Sequence, residues 1–372
     1  MLTEAENELL TRVGPGTPCG ELMRRYWHPI AAVAQIPERG TRPVRLLGED
    51  LVLFRDRSGN LGLIGDHCPH RRASLVYGIP EAEGLRCAYH GWLWAADGKC
   101  LEQPYETTED PTSTFKDRVT VTSYPVQELG GMIFAYLGPE PAPLIPRWDL
   151  FVTEDVPKEV GFSLVPCNWL QITENSLDPV HLEWAHGNWS SYVRERLGQK
   201  PGRPAAPHTK LGFDLFDHGI IKRRVREGAD ESHAMWAVGH PVVFPYTLKS
   251  GSTRDPVFQI RVPMDDTHTL YWYYHLYHDR PELGVRPPEE WPVYEIPMPH
   301  LTASGEPEWS LIDNNSGQDN AMWNSQGAIS DRWNENLGLS DKGVNLYRKL
   351  LEVNIAKVRE GLDPMNTFRD PA

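Results

Sequence analysis

The chain has 372 residues, long enough for two domains with sizeable cores. Apolar residues make up 40% and charged residues 24%, the balance of a globular protein rather than a disordered, fibrous or membrane-embedded one. A formal net charge of −14 argues against nucleic acid as a partner and suits docking to a protein with a basic patch. Five cysteines (Cys19, Cys68, Cys87, Cys100 and Cys167) form no even framework and read as reduced thiols of a cytoplasmic protein. The first residues lack the basic-then-apolar pattern of a signal peptide. The longest apolar runs, such as Met132 to Leu137, are too short to span a bilayer, so no membrane association is expected.

Residues 1–40 read as an N-terminal helical segment. Thr3 and Glu6 form a capping box, Leu9, Leu10 and Val13 give a helical stripe, Gly14-Pro15-Gly16 ends it, and a second short helix starts near Thr17. From Thr41 the pattern changes to short β-forming runs, 44–47, 51–54 and 61–64, separated by Gly-Glu-Asp and Asp-Arg-Ser-Gly turns. These predict a small antiparallel β domain over 41–145, with further strands at Val119 to Thr122 and Met132 to Leu137. Its hairpin tips carry Cys68-Pro69-His70 and, after sixteen intervening residues, Cys87-Ala88-Tyr89-His90. Each loop offers one thiolate and one imidazole, so the pair is built to hold metal. Zinc sites usually group the two cysteines and then the two histidines. One of each per loop suits instead a [2Fe-2S] cluster in which one iron takes Cys68 and Cys87 and the other His70 and His90, the Rieske arrangement. Gly91 and Gly98 allow tight turns near it, and Tyr89, Trp92 and Trp94 can shield it or simply fill the core.

Four prolines in Gly138-Pro139-Glu140-Pro141-Ala142-Pro143-Leu144-Ile145-Pro146 mark a stiff connector, and a second domain is expected over 146–372. His181 and His186 lie five apart there. In a regular α-helix that offset leaves them about 140° apart around the axis, too wide for one metal, so the helix should be distorted or end between them, with His186-Gly187 on its terminal turn. Residues 187–212 read as a polar loop. Strand-like runs follow at 219–224, 234–244, 257–263 and 269–277, predicting an antiparallel sheet packed with helices and, for the whole chain, an α+β fold. His240, His275 and His278 are not assigned to the site. The prolines from Pro281 to Pro307 leave 279–309 without a period, so this stretch is functional or wraps a neighbour. Helices are expected over 318–326 and 341–360, the latter stopped by Gly361, and 365–372 reads as an uncapped tail.

With these motifs the chain resembles the terminal oxygenase (α) subunits of Rieske non-haem iron oxygenases. Asn175-Ser176-Leu177-Asp178-Pro179-Val180-His181 with His186 looks like the family's Asn-x-x-Asp-x-x-His-x4-His iron motif. Arg25-Tyr26-Trp27-His28-Pro29 and Ser340-Asp341-Lys342-Gly343 look most like the phthalate dioxygenase and aromatic O-demethylase branch. The resemblance implies a mononuclear Fe(II) held by His181, His186 and a carboxylate. Spacing leaves Asp313, Asp319 and Asp331 open for that role, and the resemblance favours Asp319, in Gln318-Asp319. The chain departs from the branch at Asn324, where relatives often carry Glu before Ser-Gln-Gly. It also implies that Asp178, supported by Asn175, bridges His181 to the residue matching His90 in an adjacent subunit, and hence a head-to-tail homotrimer. Electrons would come from NADH through a separate flavin/iron–sulfur reductase, since no Gly-x-Gly-x-x-Gly or second iron–sulfur motif is evident. Dioxygen would then hydroxylate or O-demethylate an aromatic, carboxylated or methoxylated, small molecule. The competing reading, a non-catalytic Rieske electron carrier or redox sensor, needs only the first domain, and iron beyond the cluster's pair separates the two.

Overall fold

The computed structural model describes residues 2–36, 40–202 and 204–371. Of these, the residues within Met1–Met23, Val156–Val285 and Val293–Asn366 form one compact unit, and those within Arg24–Asp155, Arg286–Pro292 and Thr367–Ala372 form another. The segment read as N-terminal and helical is thus divided. Helices α1 (Glu4–Thr11) and α2 (Pro18–Met23) belong with the later chain, and a fully buried strand, β1 (Trp27–Ala32), comes next. α1 begins on the expected capping box: the Glu6 amide donates to Thr3 Oγ1 at 3.2 Å and the Thr3 amide to the Glu6 carboxylate at 2.7 Å.

Strands β2 (Thr41–Leu46), β3 (Glu49–Arg55) and β4 (Leu61–Gly65) make an antiparallel meander, their glycine and aspartate turns falling where the composition placed them. Next come β5 (Ile79–Glu81), β6 (Gly84–Arg86), β7 (Leu93–Trp94) and β8 (Cys100–Glu102), a second four-stranded sheet, and helix α3 (Pro104–Glu109). β9 (Ser123–Tyr124) joins the edge of the first sheet, while β10 (Val126–Leu129) and β11 (Met132–Tyr136) form a three-stranded sheet with β1, before a short helix α4 (Asp149–Val152). Val52, Phe54, Ile64, Leu75, Leu85, Trp92 and Trp94 pack into the core that also buries Cys68 and Cys87. The strand expected over 119–122 is only a bridge between Lys99 and Thr120. The Val121 amide donates to the Gly98 carbonyl while the Thr122 carbonyl accepts from the Gly65 amide, so this backbone is shared between two sheets and ladders with neither.

The other unit is built on β12 (Lys158–Val165) and α5 (Trp169–Asn175). One continuous helical stretch succeeds them: α6 (His181–Glu183), a π-helical turn over Trp184–Trp189, and α7 (Ser190–Arg196). Then come β13 (His208–Phe216), β14 (Gly219–Arg226), a helical turn α8 (Ala234–Ala237), β15 (His240–Val243), β16 (Thr247–Gly251), β17 (Pro256–Pro263) and β18 (Thr269–Leu276). β19 (Val293–Glu295), α9 (Asn315–Ser325) and α10 (Lys342–Arg359) complete it. The strands form one sheet in the order β13-β14-β15-β16-β17-β18-β12-β19. It is antiparallel except at its edge, where β19 pairs parallel to β12, so part of the proline-rich stretch supplies a strand.

Two further expectations change. Residues 187–212 are not one loop: the helix runs on to Arg196 and a strand begins at His208. Residues 234–244 are not one strand. The His233 ring caps α8 by accepting from the Met235 amide, and Gly239, at φ +76°, turns the chain into β15. The tail beyond α10 is tied, with Asn366 Nδ2 donating to the Phe244 carbonyl at 2.7 Å.

The register of the sheet positions the site. Ile220, Val242, Leu248, Gln259, Tyr273 and Gly161 are successive partners across six strands and share one face. Two-residue alternation adds Lys222, Arg224, His240, Arg261 and Tyr271 to that face. α9 packs on it: Trp323 meets Tyr271 edge-on with ring centroids 5.2 Å apart, and Asn320 Nδ2 donates to Ser163 Oγ at 3.3 Å.

Candidate metal centres

The two Cys/His loops have the same backbone plan. In the first, the Cys68 amide donates to the Ala73 carbonyl at 2.9 Å and the Arg72 amide back to the Cys68 carbonyl at 2.9 Å. In the second, Cys87 donates to Trp92 at 2.8 Å and Gly91 to Cys87 at 3.0 Å. Each tip closes through a residue at positive φ, Arg72 at 62° and Gly91 at 77°. The cysteines lie at the buried end, 1% and 3% exposed, beside one another and free of disulfides. The imidazoles of His70 and His90 lie side by side nearer the surface, meeting edge-on with ring centroids 4.4 Å apart. Trp92 stacks on His70 at 4.5 Å with the planes 3° apart, whereas Tyr89 is exposed and shields less than its sequence position suggested. Burial, and then the nearby His90 and Arg71, disfavour the His70 imidazolium and lower its pKa from the ordinary imidazole value. Two adjacent buried thiols and two neighbouring imidazoles have the composition that a two-iron cluster with one sulfur end and one nitrogen end requires.

In the other unit, His181, His186 and Asp319 each present a donor atom, all within 4.8 Å of one another. The π-helical turn makes this possible. Its hydrogen bonds span five residues instead of four, so positions five apart come round to one side of the axis. The rings of His181 and His186 stand 5.3 Å apart and nearly perpendicular. Both turn Nε2 toward Asp319 Oδ1, at 3.9 Å from His181 and 3.3 Å from His186. Asp319 comes from α9, which Asn314 caps by accepting from the Gly317 amide at 2.9 Å. Its Oδ1 is buried and has no hydrogen-bond partner among the described residues, as a metal-facing oxygen would. Asp313 and Asp331 stay exposed and bond to Asn314 and Asn334.

Asp178 lies beside this trio. Its Oδ2 is 3.5 Å from His181 Nδ1, and its Oδ1 accepts from the Val180 amide at 2.9 Å. Burial opposes its charge, but His181, the Val180 amide and Lys222 outweigh that and hold its carboxyl below the ordinary range. Asn175 ends α5 and accepts through its carbonyl from the Asp178 amide at 3.1 Å.

Several residues near this trio make contacts that spacing alone does not reveal. Gln318, fully buried, places Oε1 2.8 Å from His186 Nδ1. Lys222, Arg224 and Arg261 are buried on the inner face of the sheet, and none of them forms an ion pair among the described residues. Arg261 is tied to Gln259 and Tyr271, but Arg224 Nε and Nη1 have no hydrogen-bond partner among the described residues. Burial, then Arg224, pushes the Lys222 ammonium down to about 7, and burial, then Lys222, pushes its strand partner His240 down to about 4. The signal available in the sequence is Lys222, Arg224 and Arg226 alternating in phase with apolar Ile220, which puts cations on the buried side of a strand.

Residues 26–125 match the Rieske [2Fe-2S] domain family. The whole chain aligns with the 5,5'-dehydrodivanillate O-demethylase oxygenase subunit of Sphingobium sp. (strain NBRC 103272 / SYK-6), at 44% identity over 375 residues and 85% of that protein. It belongs to the Rieske non-haem iron oxygenases. The phthalate 4,5-dioxygenase oxygenase subunit of Pseudomonas putida is 32% identical over 99% of this chain and 89% of its own length. Among solved structures, NdmA of Pseudomonas putida CBB5 shares the fold with a TM-score of 0.67 at 18% identity, covering 95% of this chain and 96% of that one. The oxygenase of a carbazole 1,9a-dioxygenase–ferredoxin complex gives 0.65 at 20%, covering 94% and 95%. As a Rieske oxygenase the protein is an oxygenase component, carrying a [2Fe-2S] cluster in its first domain and a mononuclear iron at its catalytic site. The two donor sets fit those groups. No helix among the described residues is long and apolar enough to cross a membrane.

Proposed function

We propose that this cytoplasmic oxygenase component takes electrons from an NADH-dependent flavin/iron–sulfur reductase and uses dioxygen to hydroxylate or O-demethylate an aromatic anion. The convergence of His181, His186 and Asp319 on one point beside a face of buried cations carries this reading. Cys68, His70, Cys87 and His90 would hold the cluster, and His181, His186 and Asp319 the mononuclear iron. When bound, these groups supply single electrons and open coordination positions for dioxygen. The protein's own part is positional. Asp178 orients His181 through Nδ1, and its carboxylate, 31% exposed, keeps room for a second imidazole donor, His90 of the partner subunit in a head-to-tail homotrimer. Asn175 holds the backbone turn that presents Asp178.

The substrate class follows from charge. Arg224 and Arg261 are buried with no carboxylate at ion-pair distance among the described residues, and Lys222 beside them feels Asp178 and Asp319 only at longer range; such a cluster is costly unless an anion joins it. A benzoate-type carboxylate docked on Arg224 and Lys222 would supply it, and Arg224 Nε and Nη1, buried without a partner among the described residues, leave donors for it. The relatives, an O-demethylase and a phthalate dioxygenase, agree with an aromatic acid or methoxylated ring. Turnover of methoxylated and unsubstituted benzoates under labelled dioxygen tests this. The acids should be oxidised with label in the product, and their methyl esters should react at least about tenfold more slowly in kcat/KM, the scale of one lost charge-assisted pair. Equal turnover of acid and ester would remove the anion from the proposal.

A further inference from the structure

We infer that Gln318 is the positioning residue for His186, fixing which ring nitrogen faces the metal. This rests on reading His186 as an iron ligand.

The device begins one residue earlier. Gly317 lies in the first turn of α9, and a Cβ there would stand 1.9 Å from the Leu311 carbonyl oxygen and 3.2 Å from Ile312 Cα. Only glycine lets the 311–312 backbone lie this close to the helix. That approach brings the Ile312 carbonyl within 3.2 Å of Gln318 Nε2. A carbonyl oxygen only accepts, so the amide end facing Ile312 is the NH2 and the other end is the oxygen. That oxygen lies 2.8 Å from His186 Nδ1. It can be satisfied only if Nδ1 carries a proton. A neutral imidazole protonated at Nδ1 has its lone pair on Nε2, the atom that faces Asp319 Oδ1 at 3.3 Å. The path Gly317, Ile312 carbonyl, Gln318 amide, His186 ring thus sets both the tautomer and the ring's orientation. All of it is protected from water: Gln318 is 0% and the His186 side chain 8% exposed.

The two histidines are therefore held differently. His181 leans on a carboxylate at 3.5 Å, and His186 on a neutral amide at a full hydrogen-bond distance. The tighter, uncharged partner belongs to the histidine on the π-helical turn, whose backbone is the less regular of the two.

The experiment uses the full chain with its cluster in place. Gln318→Met keeps length and burial but removes the acceptor. The start of α9 is untouched, since Asn314 caps it independently. Chelator competition should show mononuclear Fe(II) held about 10–100-fold more weakly, the usual cost of losing a ligand's outer hydrogen bond. In the Co(II)-loaded protein, the shifted, slowly exchanging N–H proton of His186 should be present in the parent and lost by rapid exchange in Gln318→Met. Gln318→Glu retains an oxygen toward Nδ1 and should keep that proton signal and bind Fe(II) more tightly than Gln318→Met. Parent-like affinity and an unchanged N–H signal in Gln318→Met would overturn the inference, as would equal losses in the Met and Glu variants. His186→Ala separates the underlying reading: if it keeps mononuclear iron, His186 is not a ligand, whatever Gln318 does.

Discussion

At Asp319 a buried carboxylate oxygen faces two imidazole nitrogens and has no other hydrogen-bond partner among the described residues. Two N–H groups or one metal ion could satisfy it. If Gln318 keeps the His186 proton on Nδ1, the metal is the consistent choice. Asp319→Ala should therefore lose the mononuclear iron and product formation while the visible spectrum of the cluster persists, because the cluster ligands lie in the other unit. Asp313→Ala, altering an exposed residue bonded to its neighbour Asn314, should keep its iron. Iron per chain alongside the cluster spectrum measures both, and the reverse pattern would move the carboxylate to Asp313. The cluster loops are readable residue by residue, because Cys-x-His and Cys-x-x-His are local and each tip closes on itself. Asp319 is not, since its closeness to His181 arises from how α9 packs on the sheet. Gln318 and the cations of β14 are hidden for the same reason: side-chain burial is a tertiary property, and an amide or arginine in a strand has no spacing rule.

Elements make these placements durable, and α5 depends on a buried charge network. Glu174 accepts from Arg332 Nη2 at 2.7 Å and from Arg348 Nε at 2.6 Å, and Arg332 Nη1 also reaches Asn7 Oδ1 at 3.1 Å. The network joins α1, α5 and α10 just before the residues that present Asp178 and His181. Loss of the Glu174 charge leaves the buried Arg332 without a carboxylate, while Arg348 keeps Glu335, so Glu174→Gln should destabilise this unit by about 3–5 kcal/mol. Chemical denaturation followed by tryptophan fluorescence would read it, and a loss below about 1 kcal/mol would show the network to be dispensable. Burial alone would raise the Glu174 pKa, but Arg332 and Arg348 outweigh it and hold it below the ordinary 4.5. Its stabilisation should thus be complete above about pH 4.5 and fade as pH falls through the lower folded value, a slope that Glu174→Gln should flatten. Helix distortion at 181–186 is legible from geometry, since five residues do not fit one α-helical face. Its form is not: the helix widens and continues to Arg196 rather than stopping. The 234–244 run reads as a single strand because β-forming composition cannot show that His233 caps a turn and that Gly239 takes a positive φ.

For the whole molecule, the decisive question is how an electron crosses between centres held in different units of the chain. The proposed path uses Asp178 as a carboxylate shared by two imidazoles, His181 of one subunit and His90 of the partner subunit. Three observations suit it: the 3.5 Å approach to His181 Nδ1, an otherwise unpartnered Nδ1 on that ring, and a carboxylate only partly covered. Asp178→Asn keeps the size but removes the charge and one acceptor. The variant should assemble, keep its cluster and retain mononuclear iron at least in part, since Asp178 is not among the converging ligands. Reduced beforehand and mixed with substrate and dioxygen in a stopped-flow experiment, its cluster should reoxidise far more slowly than the parent's, by the roughly 10–100-fold typical of a lost outer-sphere carboxylate or more. Sedimentation of the parent should give a closed trimer, the head-to-tail ring that resemblance to the family implies. Reoxidation of Asp178→Asn at the parental rate would leave the iron site intact as a catalytic centre, but would remove both the carboxylate bridge and the reason to place His90 of the partner subunit beside it.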